Sequence, residues 1–327
     1  MRDDDANRGA DAFLTAIVLG SAAGGGFPQW NCGCANCRDA FAGVAGLEAR
    51  TQSSLAVSGD GADWALLNAS PDLRSQILAT KALQPRRPGR DSPITSVLLT
   101  NGDLDHIAGL VTLREKQPFT LWATAEILAI LEANPIFAAL DRSLVDFKAA
   151  TMDAPFALTP TVEATLFRVP GKAPLFLEGA APAAPDAPQA ALSDFTVGVS
   201  LRRPGARDAA FYIPGCAAMT PALAARIDGA AALFFDGTVY HDDEMIRAGV
   251  GVKTGRRMGH MPMAGPEGSL AALRDVAAAR KIYVHINNTN PVLRPDAPER
   301  AAVAAAGWEV AHDGLTLPLR APAETGR

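Results

Sequence analysis

Several short apolar runs in this chain end directly in, or just before, a residue that can titrate. The clearest cases are Ile94–Thr100 before Asp105-His106, Ala232–Phe235 before Asp236, and Lys281–Val284 before His285. Short runs rich in apolar and β-branched residues are typical of buried strands, and α/β folds usually present their sites where such strands end. Helical segments separate the runs in both halves, so we expect two packed sheets with helices outside.

The same patterns predict the remaining elements. Further strands are predicted at Thr15–Leu19, Ser53–Val57, Trp64–Asn68, Leu121–Ala123, Thr196–Leu201 and Ala210–Ile213. Helices are predicted at Asp72–Thr80, Ile107–Arg114, Glu126–Leu131 and Gly268–Arg280, and from Pro221 onwards. The segments Trp308–Ala311 and Leu315–Leu319 flank His312-Asp313-Gly314, which predicts a closing hairpin.

The 327 residues are enough for one large domain with a buried core. We predict a flexible N-terminal tail at 1–11, a single domain at 12–321, and a C-terminal tail at 322–327. Residues 175–193 are rich in Ala and Pro and have no periodicity, which predicts a surface insertion within the domain.

Composition excludes two classes of partner. The net charge of −5 provides no basic field for a nucleic-acid backbone. Uninterrupted apolar stretches of about 18 residues, which a membrane helix needs, are absent from the sequence. The N-terminus is acidic, unlike a secretory signal. We therefore expect a cytoplasmic protein that binds neither nucleic acid nor membrane.

Asp105, His106 and His285 together offer one carboxylate and two imidazoles. This ligand set is found in mononuclear non-haem iron(II) oxygenases, and zinc also accepts it. Ligand type alone does not decide between the two metals. The alternative is that Asp105 caps a helix and that His106 is an ordinary surface residue.

Three cysteines, Cys32, Cys34 and Cys37, fall on one Gly-containing loop. Such close thiolates are typical of a tetrahedral structural zinc site that needs one further ligand. Asn288, His285 and Cys216 are the candidates for that ligand. Sulfur-rich closed sites are structural, so we expect this metal to perform no chemistry.

A basic stretch contains Lys253, Arg256 and Arg257. These side chains either form a solvated loop or bind carboxylates of an acidic substrate.

Several long motifs resemble one family. They are VLGSAAGGGFPQWNCGCANC (18–37), LTNGDLDHIAGL (99–110), YIPGCA (212–217), FFDGT (234–238), DDEMIRAGVGVKTGRRMGHMP (242–262) and VHINNTNP (284–291). In this order, over residues 14 to 320, they resemble the PqqB family of pyrroloquinoline quinone (PQQ) biosynthesis, within the metallo-β-lactamase superfamily. The resemblance implies an αββα sandwich, two mixed β-sheets flanked by helices, with the site at one edge of the sheets.

The resemblance also shows which ligands are missing. The superfamily motif His-x-His-x-Asp-His falls here on Asn101, Asp103, Asp105 and His106, so only its last pair is retained. A further metal histidine falls near Gly171-Lys172 and the bridging aspartate near Gly215. His285 matches the final metal histidine. We therefore expect a mononuclear site, because a dinuclear hydrolase needs more ligands than remain.

The family implies an iron-dependent hydroxylase that adds oxygen from O2 to the tyrosine ring of a peptide-derived Glu–Tyr unit, with an electron donor. Asp105, His106 and His285 would hold Fe(II), or zinc in some preparations. Asp103 or Asp236 would complete or orient the ligand shell, and His260, which matches a histidine that assists the chemistry, would move protons. Lys253, Arg256 and Arg257 would bind substrate carboxylates.

Two alternatives to hydroxylation remain open. One is a mononuclear zinc hydrolase, and the other is a non-catalytic carrier of PQQ or its precursor toward the periplasm. The oligomeric state is also open, with a homodimer as one option.

Overall fold

Two seven-stranded sheets form the centre of the fold. The computed structural model describes residues 14–174, 191–207 and 209–319. In these residues the strands are β1 (Leu14–Gly20), β2 (Ser54–Ser58), β3 (Trp64–Leu67), β4 (Ile94–Leu98), β5 (Phe119–Ala123), β6 (Val145–Ala149), β7 (Phe156–Thr159), β8 (Val162–Gly171), β9 (Ala191–Arg202), β10 (Ala210–Ile213), β11 (Ala232–Asp236), β12 (Lys281–Val284), β13 (Trp308–Val310) and β14 (Thr316–Leu319).

Each sheet contains four neighbouring parallel strands, whose carboxyl ends lie on one side of the sheet, here called the site edge. The first sheet has the order β14-β1-β2-β3-β4-β5-β6, and the second has the order β13-β12-β11-β10-β9-β8-β7. Pairing is parallel from β3 to β6 and from β10 to β13. Because parallel strands end on the same side of a sheet, the residues after β11 and β12 lie close together. Asp236 is opposite Val284, so His285 comes one residue beyond that pair.

Helices lie on the outer faces of the sheets. They are α1 (Ala35–Phe41), α2 (Leu73–Ala79), α3 (Leu104–Ile107), α4 (Ala125–Ala133), α5 (Pro221–Ile227), α6 (Glu244–Arg247), α7 (Ser269–Ala272) and α8 (Pro298–Ala305). Two of the helices begin with a capping threonine. Thr124 and Thr220 cap α4 and α5 by accepting hydrogen bonds from Ile127 N and Leu223 N.

Alternation along the strands separates three apolar layers. On β11, Phe234 points into the core between the sheets, and Phe235 points to the layer between the second sheet and its helices. On β12, Ile282 and Tyr283 divide in the same way. A third apolar cluster lies between the first sheet and its own helices. It includes Leu99, which follows β4. Sheets covered on both faces explain why the strands are continuously apolar.

The predicted αββα sandwich of two mixed sheets is confirmed, and most strands lie where the sequence predicts them. The predicted closing hairpin is wrong. β13 pairs with β12 in the second sheet, and β14 pairs with β1 in the first. The turn before β14 therefore carries the chain from one sheet to the other.

Three further predictions need correction. The helix predicted at Gly268–Arg280 is only α7, because Ala277 and Ala279 hydrogen-bond to the 228–230 segment instead of to a helix. The helix predicted at Ile107–Arg114 is α3 followed by a 3₁₀ helix, Ala108–Arg114. Residues 191–193 belong to β9 rather than to the predicted insertion 175–193.

The tails predicted at 1–11 and 322–327, and residues 175–190 of the predicted insertion, lie outside the described residues. Among the helices that are described, none has both the length and the apolar composition to cross a bilayer.

The core between the sheets gives a stability prediction. Phe234 has no exposed surface, whereas Phe41 at the end of α1 is 59% exposed. We expect Phe234→Ala to lower the free energy of unfolding by about 3–5 kcal/mol, because it leaves a cavity, and Phe41→Ala to change it by less than about 0.5 kcal/mol. Urea unfolding of both variants measures the difference, and equal losses would contradict this assignment of the core.

Candidate metal centres

The loop after β4 brings Asp105 and His106 to the site edge of the first sheet. Both residues lie in α3, and the carbonyl of His106 accepts a hydrogen bond from Ala69 N at 2.7 Å. Gly109 follows so close to the neighbouring chain that a Cβ there would lie 2.0 Å from Ser70 O. The close approach requires glycine and fixes α3 against the end of β3.

His285 reaches the same place from the second sheet. Its φ is +58°, a left-handed conformation that is strained for a residue with a Cβ. The next residue, Ile286, donates its N–H to Ser21 O and accepts from Ala23 N. These bonds hold the chain after β12 against the end of β1, so that the edges of both sheets meet at His285.

Asp105, His106 and His285 converge, as the sequence predicts. Their nearest ligand atoms all lie within 4.8 Å of one another. His285 Nε2 is 3.1 Å from Asp105 Oδ2, and His106 Nε2 is 3.8 Å from the same oxygen. The two imidazole rings are arranged edge to face with centroids 5.3 Å apart. One carboxylate and two imidazoles from separate sheets therefore surround one ion-sized position.

His106 shows that a cation fits this position. The side chain is 1% exposed, and neither of its ring nitrogens has a hydrogen-bond partner. A buried polar atom without a partner costs about 1–3 kcal/mol, which coordination to a metal would remove. Burial lowers the pKa of His106 to about 4, so the imidazole is neutral near pH 7 and can act as a ligand.

Asp105 supplies the negative charge of the ligand set. Burial alone would raise the pKa of its carboxyl, but His106 and His285 lower that pKa well below its usual range. The carboxylate is therefore ionised at neutral pH. Gly24 lies beside it, where a Cβ would come within 3.3 Å of Asp105 Oδ2. A glycine at this position keeps one side of the ligand set clear.

A second group, Asp236, His260 and His285, also has ligand atoms within 4.8 Å. In contrast to His106, its members are joined by hydrogen bonds. His260 Nδ1 is 2.8 Å from Asp236 Oδ2, which also accepts from Cys216 N at 2.8 Å. Although burial raises it, the neighbouring His260 holds the pKa of Asp236 below its usual range. This group is a hydrogen-bonded network behind the ligand set.

Thr238 is the residue that sequence reasoning missed. Its hydroxyl donates to Asp236 Oδ1 at 2.7 Å and lies 3.0 Å from His260 Nδ1 and 2.8 Å from His285 Nδ1. Because the hydroxyl has one proton and gives it to Asp236, it accepts from Nδ1 of His285, and the one Nδ1–H of His260 is shared between this hydroxyl and Asp236 Oδ2. A neutral His285 then carries its lone pair on Nε2, the nitrogen that a metal beside Asp105 would bind. The available sequence signal was a polar residue two positions after Asp236.

Only some of the remaining predicted site residues line the pocket, and Arg256 and Arg257 are half-buried outside its described lining. A pocket of about 580 Å³ opens beside the ligand set. Its described lining consists of Ala23, Gly24, Gly25, Gln29, Gln52, Pro71, Asn101, Asp103, Leu104, Asp105, Lys172, Thr238, Met245, Lys253, Met258, His260, His285 and Asn287. Asp103 and Lys253 lie in this lining, and neither Arg256 nor Arg257 does. The Arg256 guanidinium instead contacts Glu267 at 3.0 Å, which places it away from any ligand in this pocket.

The three cysteines form a separate cluster. The Sγ atoms of Cys32, Cys34 and Cys37 all lie within 4.8 Å of one another. The side-chain amide of Asn288 faces all three, at 3.0 Å from Cys32, 3.7 Å from Cys34 and 3.3 Å from Cys37. The oxygen and nitrogen of an amide are interchangeable by rotation, so Asn288 can turn its oxygen to the sulfurs as a fourth ligand. The metal-ligand cluster does not include Cys216.

Burial determines how this cluster ionises. It raises the pKa of the Cys34 thiol to about 12, so a buried thiolate here requires a nearby cation. A zinc ion supplies that charge and couples its binding to folding. The residues therefore fit the predicted structural zinc site.

The hydroxyl of Thr238 gives a test of the metal-binding network. We expect Thr238→Val to weaken zinc or iron(II) binding by Asp105, His106 and His285 (the His106 site) by about 10–100-fold. The reason is that His285 loses the hydrogen-bond partner that fixes its tautomer. Thr238→Ser keeps the hydroxyl and should remain within a few-fold of wild type. Competition with a chelator measures both affinities, and equal affinities in all three proteins would refute the role of Thr238.

The cysteine cluster gives a second test. We expect Cys34→Ser to lose one zinc per chain and to unfold at a lower temperature, with the His106 site still able to bind metal. Cys216→Ala is the matched control, because Cys216 is buried but lies outside the cluster. Metal analysis together with thermal unfolding measures both. A full zinc complement in Cys34→Ser would show that the cysteines are not ligands.

Comparison with known proteins agrees with this geometry. A family model described as "Beta-lactamase superfamily domain" matches residues 63–286. Coenzyme PQQ synthesis protein B of Methylobacterium sp. (strain 4-46) is 55% identical over 94% of this chain and 100% of the relative. The protein of the same name from Ruegeria pomeroyi is 54% identical over the same shares.

Solved structures give the same result. Zn(2+)-bound PqqB from Methylobacterium extorquens has a TM-score of 0.89 at 54% identity and covers 93% of this chain and 100% of its own. A diphosphatase from the PhnP family has a TM-score of 0.64 over 94% of this chain and 98% of its own, and at 19% identity it shows the fold alone. The chain therefore belongs to the beta-lactamase superfamily and, within it, to the family of coenzyme PQQ synthesis protein B.

Proposed function

We propose that this protein acts in PQQ biosynthesis, where it hydroxylates the tyrosine ring of a Glu–Tyr-derived precursor with one iron(II) ion. The relatives' name supports the pathway. The observation that carries the reaction type is the orphaned His106 imidazole beside Asp105 and His285. Two imidazoles and one carboxylate, with positions left open, suit non-haem iron(II) oxygenase chemistry.

Asp105, His106 and His285 would hold the metal. Iron(II) bound there would supply the redox chemistry by which O2 is activated. Ring hydroxylation places one oxygen atom of O2 in a C–O bond and releases the other as water. This balance requires two electrons from a donor and two protons, so an electron donor is part of the proposal.

His260 is placed to move protons between the pocket and the interior. Its Nδ1 is bound to Asp236 and Thr238, which leaves Nε2 as the nitrogen that can exchange a proton with a molecule in the pocket. The buried Asp236 carboxylate stabilises the protonated imidazole. His260 can therefore accept the proton that leaves the ring carbon and can later return it. Asp103 lies in the same wall and orients the backbone before α3, since its carbonyl accepts from His106 N at 2.9 Å.

The pocket suits a small molecule with an aromatic ring. Its described lining includes Pro71, Leu104, Met245 and Met258, and apolar side chains of this kind pack well against a ring. A volume of about 580 Å³ falls in the range of small-molecule sites. Lys253, also in the lining, offers a cation to a substrate carboxylate.

A zinc-dependent hydrolase is the second candidate, and one observation favours it. The relative of known structure that is 54% identical was crystallised with Zn(2+). The ligand set accepts zinc as well as iron. The two candidates differ in their need for O2, which makes them separable by experiment.

The test loads the protein with Fe(II) without air, adds the cross-linked Glu–Tyr unit and then admits O2. We expect the product to gain the mass of one oxygen atom, and His106→Ala and His285→Ala to abolish this gain because each removes a ligand. His312→Ala is the matched control, because His312 is exposed and hydrogen-bonds only locally to Asp313 O. Mass spectrometry with ¹⁸O2 measures the incorporation. Turnover by zinc-loaded protein without O2 would overturn the proposal in favour of the hydrolase.

A further inference from the structure

Lys172 brings an ammonium group into the wall of the metal pocket. It directly follows β8, and its side chain is only 14% exposed. The Nζ atom lies 3.9 Å from Asp103 Oδ2 and 3.4 Å from Ala173 O. An ammonium group withdrawn from water in this way is costly unless negative groups face it. Asp103 is one such group, and the ammonium adds a positive charge to this wall of the pocket.

The backbone and the neighbouring chain hold Lys172 in this direction. Its carbonyl oxygen accepts a hydrogen bond from Thr196 Oγ1 at 2.9 Å. The stem of its side chain lies against Gly259, where a Cβ would come within 3.0 Å of Lys172 Cγ. Gly259 has a φ of +89°, so glycine is favoured there on two grounds. Because His260 is the next residue, the ammonium and the proton-moving imidazole belong to one wall.

The charges of the described lining show what the pocket attracts. It contains two lysines, Lys172 and Lys253, and two aspartates, Asp103 and Asp105. Asp236, fully buried behind His260, adds a third carboxylate. A divalent cation on the ligand set would leave these described groups with one net positive charge. In a cavity with apolar walls, this excess favours an anion.

We infer that Lys172 and Lys253 bind the ionised carboxylates of a small aromatic substrate, with Lys172, which lies between Asp103 and Gly259, as the determinant to be tested. The inference rests on the proposed function and names the chemistry by which that substrate is selected. Carboxylates bind to the two ammonium groups, while the ring packs on Leu104, Met245 and Met258. Esters or amides of the same acid lack the charge and bind more weakly.

A binding measurement distinguishes a Lys172 that binds substrate carboxylates from a Lys172 that only neutralises Asp103. The probe is the cross-linked Glu–Tyr acid, compared with the same compound in which all carboxylates are carboxamides. Calorimetry is carried out on metal-free and zinc-loaded protein, so that no turnover occurs. We expect Lys172→Met to weaken binding of the acid by about tenfold or more in both forms, and to leave binding of the amide within about twofold.

Two further variants keep the test informative. Lys172→Arg retains the charge and should bind the acid within a few-fold of wild type. Lys148→Met is the matched control, since Lys148 is exposed on β6 and pairs with Asp146 at 3.1 Å. Thermal unfolding confirms that each variant is folded. Equal weakening of acid and amide in Lys172→Met, unchanged binding of the acid, or failure of wild type to bind it would each overturn the inference.

The inference and the proposed function fail separately. Binding requires neither O2 nor iron. If Lys172 discriminates between acid and amide but Fe(II)-loaded protein inserts no oxygen, the binding site stands and the hydroxylase does not. If oxygen is inserted while Lys172→Met binds the acid as well as wild type does, only the inference is lost.

Discussion

The buried imidazole of His106 is the constraint on which the site depends. The Nδ1 atoms of His260 and His285 both hydrogen-bond to the Thr238 hydroxyl. His106 has no such partner, although it is almost completely removed from water. A fold can retain this cost where a cation compensates it. The Asp105 carboxylate and the strained His285 backbone are then understandable as the other two parts of one coordination position.

Parallel pairing brings these parts together. The register of β11 with β12 places Asp236 beside the residue that precedes His285, and Thr238 connects the side chains across that gap. The network therefore runs from the pocket through His260 and Asp236 to Thr238 and then to the ligand His285. Hydrogen bonds of 2.7–3.0 Å thus connect the imidazole that faces the pocket to His285, one of the candidate ligands.

The two candidate metal centres share one loop. His285 begins it and Asn288 faces the cysteine sulfurs three residues later. Asn36, which lies between Cys34 and Cys37, donates to the carbonyl oxygens of Asn288 and Asn290. A closed zinc site at the cysteines would thus fix the segment whose first residue ligates the other metal. A metal at the cysteines would thus act on the other candidate site through position alone.

Much of this could be predicted from local pattern. Apolar runs ending in Asp236 and His285 are visible in the sequence, and the sandwich follows from them and from the family resemblance. Strands β6, β7 and β8 were not predicted. β6 and β7 lie at the edges of their sheets, and charged residues interrupt the apolar pattern of β6 and β8. β13 and β14 were predicted as a hairpin because adjacency in sequence does not reveal that a turn crosses between sheets. Thr238, whose importance lies in three long-range hydrogen bonds, has no local signal beyond its spacing from Asp236.

Three positions at which the chain departs from the superfamily pattern of metal ligands are Asn101, Lys172 and Gly215. Asn101 uses its side-chain oxygen to accept from Asp103 N at 3.0 Å, and so serves the backbone. Gly215 faces His260, where a Cβ would lie 3.6 Å from the ring, in ordinary van der Waals contact, and glycine has no side chain that could bind a metal. Lys172 adds a positive charge to the same cavity, which a second cation would have to approach against electrostatic repulsion. At these positions the superfamily's ligands for a second metal are thus replaced by an amide that bonds the backbone, a glycine and a lysine in the pocket wall.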